Sequence, residues 1–187
     1  MPKIVFEKKL KADERKYLPE FVYGGIDGAV TTFAVVSGSI GASLSPAIIL
    51  ILGIANLCAD GFSMAVSNYL SVKSQVDLHK GHKDYLFFQR EGKHPVKAGL
   101  ATFISFFIMG IIPLLPFLFT IFAPSPRDNQ LFYSVALTGI ALAIVGFVKG
   151  EIVKKHPIKA SFETLLIGGV AATIAFFVGY ILKGIVG

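Results

Sequence analysis

Apolar residues run along the chain in five stretches of about twenty or more, separated by short polar segments. They cover approximately residues 21–41, 46–72, 95–121, 129–149 and 158–183. At 1.5 Å of rise per residue each is long enough to cross ~30 Å of hydrocarbon as a helix. Boundary residues support these limits. After the short loop Ala42-Ser43-Leu44, Ser45-Pro46 pairs an N-cap with a proline at the first helical position. His94-Pro95 opens the third stretch, Asn129 is placed to cap the fourth, and Lys155-His156-Pro157 opens the fifth. Pro113 and Pro116 interrupt the third, which predicts a kink. The pattern therefore predicts an all-α integral membrane protein with five transmembrane helices. A basic arm (residues 1–20) precedes a single transmembrane domain (residues 21–187), with a polar connector at residues 73–94.

Composition agrees with that pattern. Of 187 residues, 53% are apolar and 16% charged, where a soluble domain would carry about 25% charged. The net charge of +6 would suit a nucleic-acid partner if a folded basic domain presented it. It does not, because the basic residues sit in the connectors. Sixteen of the eighteen lysines and arginines fall in the N-terminal arm, the 73–97 region and the 149–159 region, leaving Arg127 and Lys183 on the other side. This bias predicts a cytoplasmic N-terminus and a C-terminus outside or in a lumen. The N-terminal segment lacks the apolar core of a signal peptide, and the single cysteine, Cys58, excludes a disulfide within one chain.

Two carboxylates fall inside the apolar stretches, Asp27 in the first and Asp60 in the second. Each costs at least ~2.5 kcal/mol near a helix centre, so such residues face a partner or a watery path. Neither has an intramembrane lysine or arginine to pair with. Depth brings them together. Asp27 lies about 9 Å inside the boundary where the first helix begins. Asp60 lies about 21 Å along a helix running the other way, leaving about 9 Å of a ~30 Å core. On the second helix Asn56, Asp60, Met64 and Asn68 recur every four residues along one face. Amide and carboxylate oxygens with a thioether are ligands for a divalent first-row metal, the sulfur favouring softer ions such as Fe²⁺. The rival reading makes the acids protonated packing residues and Met64 a filler between helices. Small residues around the acids (Gly24, Gly25 and Gly28; Ala55, Ala59, Ser63 and Ser67) predict close helix packing.

The run Tyr23-Gly24-Gly25-Ile26-Asp27-Gly28, continuing to Gly38, resembles the first helix of the vacuolar iron transporter family, which includes yeast-type iron–manganese transporters. Ala59-Asp60-Gly61-Phe62-Ser63-Met64-Ala65-Val66-Ser67-Asn68, continuing to Gln75, resembles its second-helix signature. The resemblance implies a homodimer whose first two helices line a central path, with Asp27 and Met64 at the family's intramembrane ligand positions. It also implies that Fe²⁺ or Mn²⁺ leaves the cytosol in exchange for protons. The chain departs from the pattern twice. Ser67-Asn68 stands where the signature carries Gly-Glu, and Asp60 stands where a small residue is usual, as though the acid had shifted two turns along one face. The connector from Ser74 to His94 is also too short for the family's glutamate-rich cytoplasmic metal-binding domain. Its Asp77, His79, His82, Asp84, Glu91 and His94 read as a solvated loop, and His156 and Glu163 as residues capping or snorkelling at the fifth helix.

The expectation is a short-form, multi-pass metal transporter without a permanently bound cofactor, its partners being a divalent ion, protons, lipid and a second copy. Its membrane would be the inner membrane of a prokaryote or a vacuolar-type membrane of a eukaryote. The alternative is a membrane scaffold or metal sensor whose acids only pack. An enzyme is not supported, since no nucleophile–base set or cofactor motif is present.

Overall fold

The computed structural model describes residues 2–80, 92–120 and 127–186, with side chains from Lys16 onward except Arg127 and Asp128. The described residues are helical apart from short connections: α1 (Pro2–Gly41), α2 (Pro46–His79), α3 (Pro95–Gly110), a 3-10 turn (Ile112–Leu114), α4 (Leu115–Phe119), α5 (Arg127–Ile152) and α6 (Pro157–Val186). Among the described residues five segments are long and apolar enough to cross a membrane, α3 and α4 together forming the third.

The helix boundaries follow the local chemistry. Ser45 caps α2 in extended conformation, accepting from the Ile48 N–H, with Pro46 next to it. The third span breaks at the two prolines as expected. Its freed carbonyl groups need donors in a setting without water. Ser134 on α5 supplies one, its hydroxyl donating to the Pro113 carbonyl at 2.7 Å while fully buried. Ser134→Ala is expected to lower thermal stability in detergent by about 1 kcal/mol, leaving helical circular dichroism unchanged.

The helices overrun the predicted limits. α1 continues back through Pro19 to Pro2, α2 extends to His79 and α6 to Val186. Polar residues outside the hydrocarbon can continue a helix that the lipid no longer requires. The fourth span is already helical at Arg127, so Asn129 lies within its first turn and is not its cap.

Packing is organised around α1 and α3. α1 lies mainly against α3 and α6, α2 against α3, and α5 against α6, whereas α1 and α2 touch far less. The core gathers Val36, Ile49, Leu57, Phe106, Leu114 and Phe117, with Met64 packed at its margin. Gly28 sets the α1–α3 distance, since a Cβ there would run into the Phe106 carbonyl oxygen. Gly179 does the same on α6, against the Gly38 carbonyl oxygen. α2 packs through a different face from the one its small residues predict. It packs on its neighbours through Gly53, Leu57 and Gly61, and Ala55, Ala59, Ser63 and Ser67 are exposed. No described helix of the chain covers that stripe of small residues.

The two ends of the bundle differ in charge. Tyr17 and Glu20 of α1 meet His94 and Lys93 before α3. Leu18 shares a cleft with Glu151, Ile152 and Lys154 at the end of α5. Lysines 16, 73, 80, 93, 97, 149, 154, 155 and 159 therefore gather at one end, the basic end. At the opposite end Lys183 reaches back to donate to Ser43 Oγ at 2.8 Å.

Candidate functional site

Sparse contact between α1 and α2 leaves a groove of about 520 Å³ near the basic end. Pro19, Glu20 and Tyr23 form one wall; Ser63, Met64, Ser67, Asn68 and Ser71 form the other. The register explains the lining. Glu20, Tyr23 and Asp27 stand at i, i+3 and i+7 on α1, while Asp60, Met64 and Asn68 stand at i, i+4 and i+8 on α2. Each set lies along one helix face. Because the helices run in opposite directions, the groove leads from Glu20 and Ser71 inward, past Tyr23 and Met64, toward Asp27 and Asp60 one turn deeper.

The structure brings the two aspartates together. Each is partly buried, Asp27 on α1 and Asp60 on the neighbouring α2. Among the described residues no lysine, arginine or histidine forms a salt bridge with either. At Asp27 the Thr31 hydroxyl donates to the main-chain carbonyl oxygen at 2.8 Å, leaving the carboxylate out of that bond. Both carboxylates are thus available to a ligand.

Asn68 is held in a fixed orientation. Its Nδ2 donates to Thr102 Oγ1 at 2.7 Å, and that hydroxyl donates to the Ala98 carbonyl at 3.0 Å. With its amide hydrogens directed at α3, Asn68 can present its carbonyl oxygen to the groove. Met64 has one side on the core and the other on the groove. Asn56 continues the line one turn beyond Asp60, outside the groove lining, and its Nδ2 is buried without a hydrogen-bond partner.

Glu20 was not singled out from the sequence, because it ends the charged N-terminal arm. It is only 8% exposed and lines the groove. Its Oε1 accepts from Lys93 Nζ at 2.5 Å, and its Oε2 is buried with no partner. Its position seven residues before Asp27, on the same helical face, was the signal that could have found it.

The described histidines do not build a second centre. His79 Nδ1 contacts its own helix at the Gln75 carbonyl, 2.7 Å away. His94 uses its main-chain N–H to donate to Tyr17 Oη at 2.8 Å, and His156 is exposed. Glu163 pairs at 3.6 Å with Lys149. His82, Asp84 and Glu91 lie outside the described residues. Among those described, no group of three or more histidines, cysteines and acids converges to hold a metal. One protomer offers a carboxylate pair, a thioether and amide and hydroxyl oxygens.

The family model of the VIT family matches residues 18–85 and 82–180. The two matched stretches meet within the connector, at residues 82–85. The chain is 27% identical to "Vacuolar iron transporter" of Toxoplasma gondii, an alignment of 229 residues covering 91% of this chain and 76% of that protein. It is 27% identical to "Vacuolar iron transporter" of Centaurea cyanus, covering 84% of each. It is 25% identical to "Vacuolar iron transporter 1" of Arabidopsis thaliana, covering 95% of this chain and 90% of that protein. The first and third alignments extend over 229 and 230 residues, more than the 187 of the whole chain, so these relatives carry segments that are absent here.

Proposed function

The chain belongs to the VIT family, and from that premise we propose that it is a transporter moving Fe²⁺ or Mn²⁺ out of the cytosol in exchange for protons. The observation that carries this reading is the Asp27–Asp60 pair. Two partly buried carboxylates lie within two neighbouring apolar spans, without a cationic partner among the described residues, one helical turn deeper than the residues that line the groove. A divalent ion is the cargo whose charge such a pair neutralises, which lowers the cost of taking it into low dielectric. No resident cofactor is needed. Metal must displace protons from the acids it binds, so loading releases protons and an acidic far compartment drives unloading.

Met64 would add a soft ligand to the oxygens of the acids and Asn68, with Asn56 as the next polar step. One protomer is short of a full coordination shell. The exposed α2 stripe carries Ser63 and Ser67, polar groups unsuited to lipid, beside the groove. A second copy against that face would cover it and double the carboxylates, so a homodimer fits the site. The basic end faces the cytosol by the positive-inside rule, placing the N-terminus inside and the C-terminus outside or in a lumen. By the names of its relatives the membrane is vacuolar in type, or the inner membrane if the chain is prokaryotic.

The test is uptake of Fe²⁺ and Mn²⁺ into proteoliposomes with an acidic interior, oriented by cleavage of the basic arm. Saturable uptake that collapses with the gradient supports the proposal. No flux would favour a scaffold or sensor whose acids only pack. In the same assay Met64→Leu is expected to lower Fe²⁺ flux roughly threefold or more relative to Mn²⁺, because leucine keeps the packing and removes the soft donor.

A further inference from the structure

We propose that Lys93 is a resident cation at the groove mouth, and that an incoming divalent ion must displace its ammonium from Glu20. This rests on the transport reading above and adds a step to it. Three observations converge. Glu20 is nine-tenths buried on the groove wall, and Lys93 occupies one of its oxygens while the other is buried without a partner. Half of that carboxylate's bonding capacity is therefore unused. Lys93 comes from a different part of the chain, 73 residues away, and its side chain is 34% exposed, so the ammonium has water to withdraw into. The main chain beside it is fastened to α1, since the His94 N–H donates to Tyr17 Oη. The ammonium can swing away while its stem stays tethered.

Charge gives the exchange its direction. A divalent ion gains about twice the Coulomb energy of an ammonium at the same distance from Glu20, and it can use both oxygens. Glu20 lies two turns, about 10 Å, from Asp27 along α1. Once the ion advances to the Asp27–Asp60 pair, the tethered ammonium returns to Glu20 and places a positive charge behind it. Backward movement toward the basic end is then opposed. Lys93 acts as a positioning and gating residue, and Glu20 as the outer ligand.

The experiment titrates detergent-solubilised full-length protein with Mn²⁺ by calorimetry and follows Mn²⁺ uptake in proteoliposomes. Lys93→Met keeps most of the aliphatic stem and removes the charge. It is expected to tighten Mn²⁺ binding and lower the KM of uptake by roughly three- to tenfold, the range a partly exposed ion pair supports. Lys93→Arg should restore parental values, and adding Glu20→Gln to Lys93→Met should abolish the gain. If Lys93 were only a strut, Lys93→Met would lower thermal stability without tightening binding or lowering KM, and the gate would be overturned. Should Lys93→Met fail to fold, Lys93→Gln in the same titration decides by the same criterion. A parent that neither binds nor moves Mn²⁺ would remove the transport reading and the gate with it. A parent that transports, beside charge-removing variants with parental affinity and KM, would remove the gate alone.

Discussion

Asp27→Asn is expected to reduce metal flux by at least about 100-fold while leaving the protein folded and in its parental oligomeric state. The asparagine is nearly isosteric, and Asp27 makes no side-chain ion pair among the described residues, so little packing is lost. What disappears is one of two charges that balance a divalent ion within the apolar spans. Leaving a buried charge uncompensated costs about 3–5 kcal/mol, which corresponds to roughly two to four orders of magnitude in occupancy. Asp60→Asn should act in the same direction. Because the two groups act on one ion, the double variant should lose less than the sum of the two effects. Initial rates of Mn²⁺ uptake, with size-exclusion profiles for each variant, check this. Flux within a factor of three of the parent in Asp27→Asn would place the path elsewhere.

The second large effect concerns assembly. Gly28→Val is expected to abolish the native fold, with a cost above about 3 kcal/mol, because its Cβ would collide with the Phe106 carbonyl, a backbone atom that cannot rotate away. α1 would be forced off α3 one residue after Asp27, so the walls of the site would move as the packing failed. Gly169→Ala supplies the contrast, since nothing lies within 4 Å of a Cβ there and the residue is exposed. It should be neutral or slightly stabilising. Thermal unfolding followed by fluorescence-detected size exclusion distinguishes the two. A Gly28→Val variant with parental stability would show that α1 and α3 can separate without loss.

Much of this structure was legible in the sequence because lipid leaves the chain few options. Backbone groups in hydrocarbon must be satisfied internally, so apolar stretches of this length become helices, and Ser45-Pro46 and Pro113 punctuate them as expected. The Asp27–Asp60 encounter was legible too, since rise per residue and opposed helix directions gave both acids one depth. The packing was not. Spacing of four along α2 is shared by the stripe Ala55, Ala59, Ser63 and Ser67 and by the row Gly53, Leu57 and Gly61, and only the position of α3 decides which is covered. Glu20 was hidden for a related reason. Its burial depends on Lys93, which the chain brings back from 73 residues away, and no local pattern encodes that contact. The resemblance named Asp27 and Met64 and the four-residue spacing named Asn68; the groove adds Glu20 beside Met64 and Asn68, and Thr102 holds Asn68 from α3.

The central claim is that one acid pair carries metal in one direction and protons in the other. Its most direct test loads proteoliposomes of the parent protein with a pH-sensitive dye and adds Mn²⁺ outside an acidic lumen, recording metal influx and proton efflux in the same sample. Alkalinisation of the lumen should rise and saturate with Mn²⁺ uptake at a fixed ratio, both signals being lost together in Asp27→Asn. Mn²⁺ uptake without proton efflux, or both signals intact in Asp27→Asn, would contradict the claim.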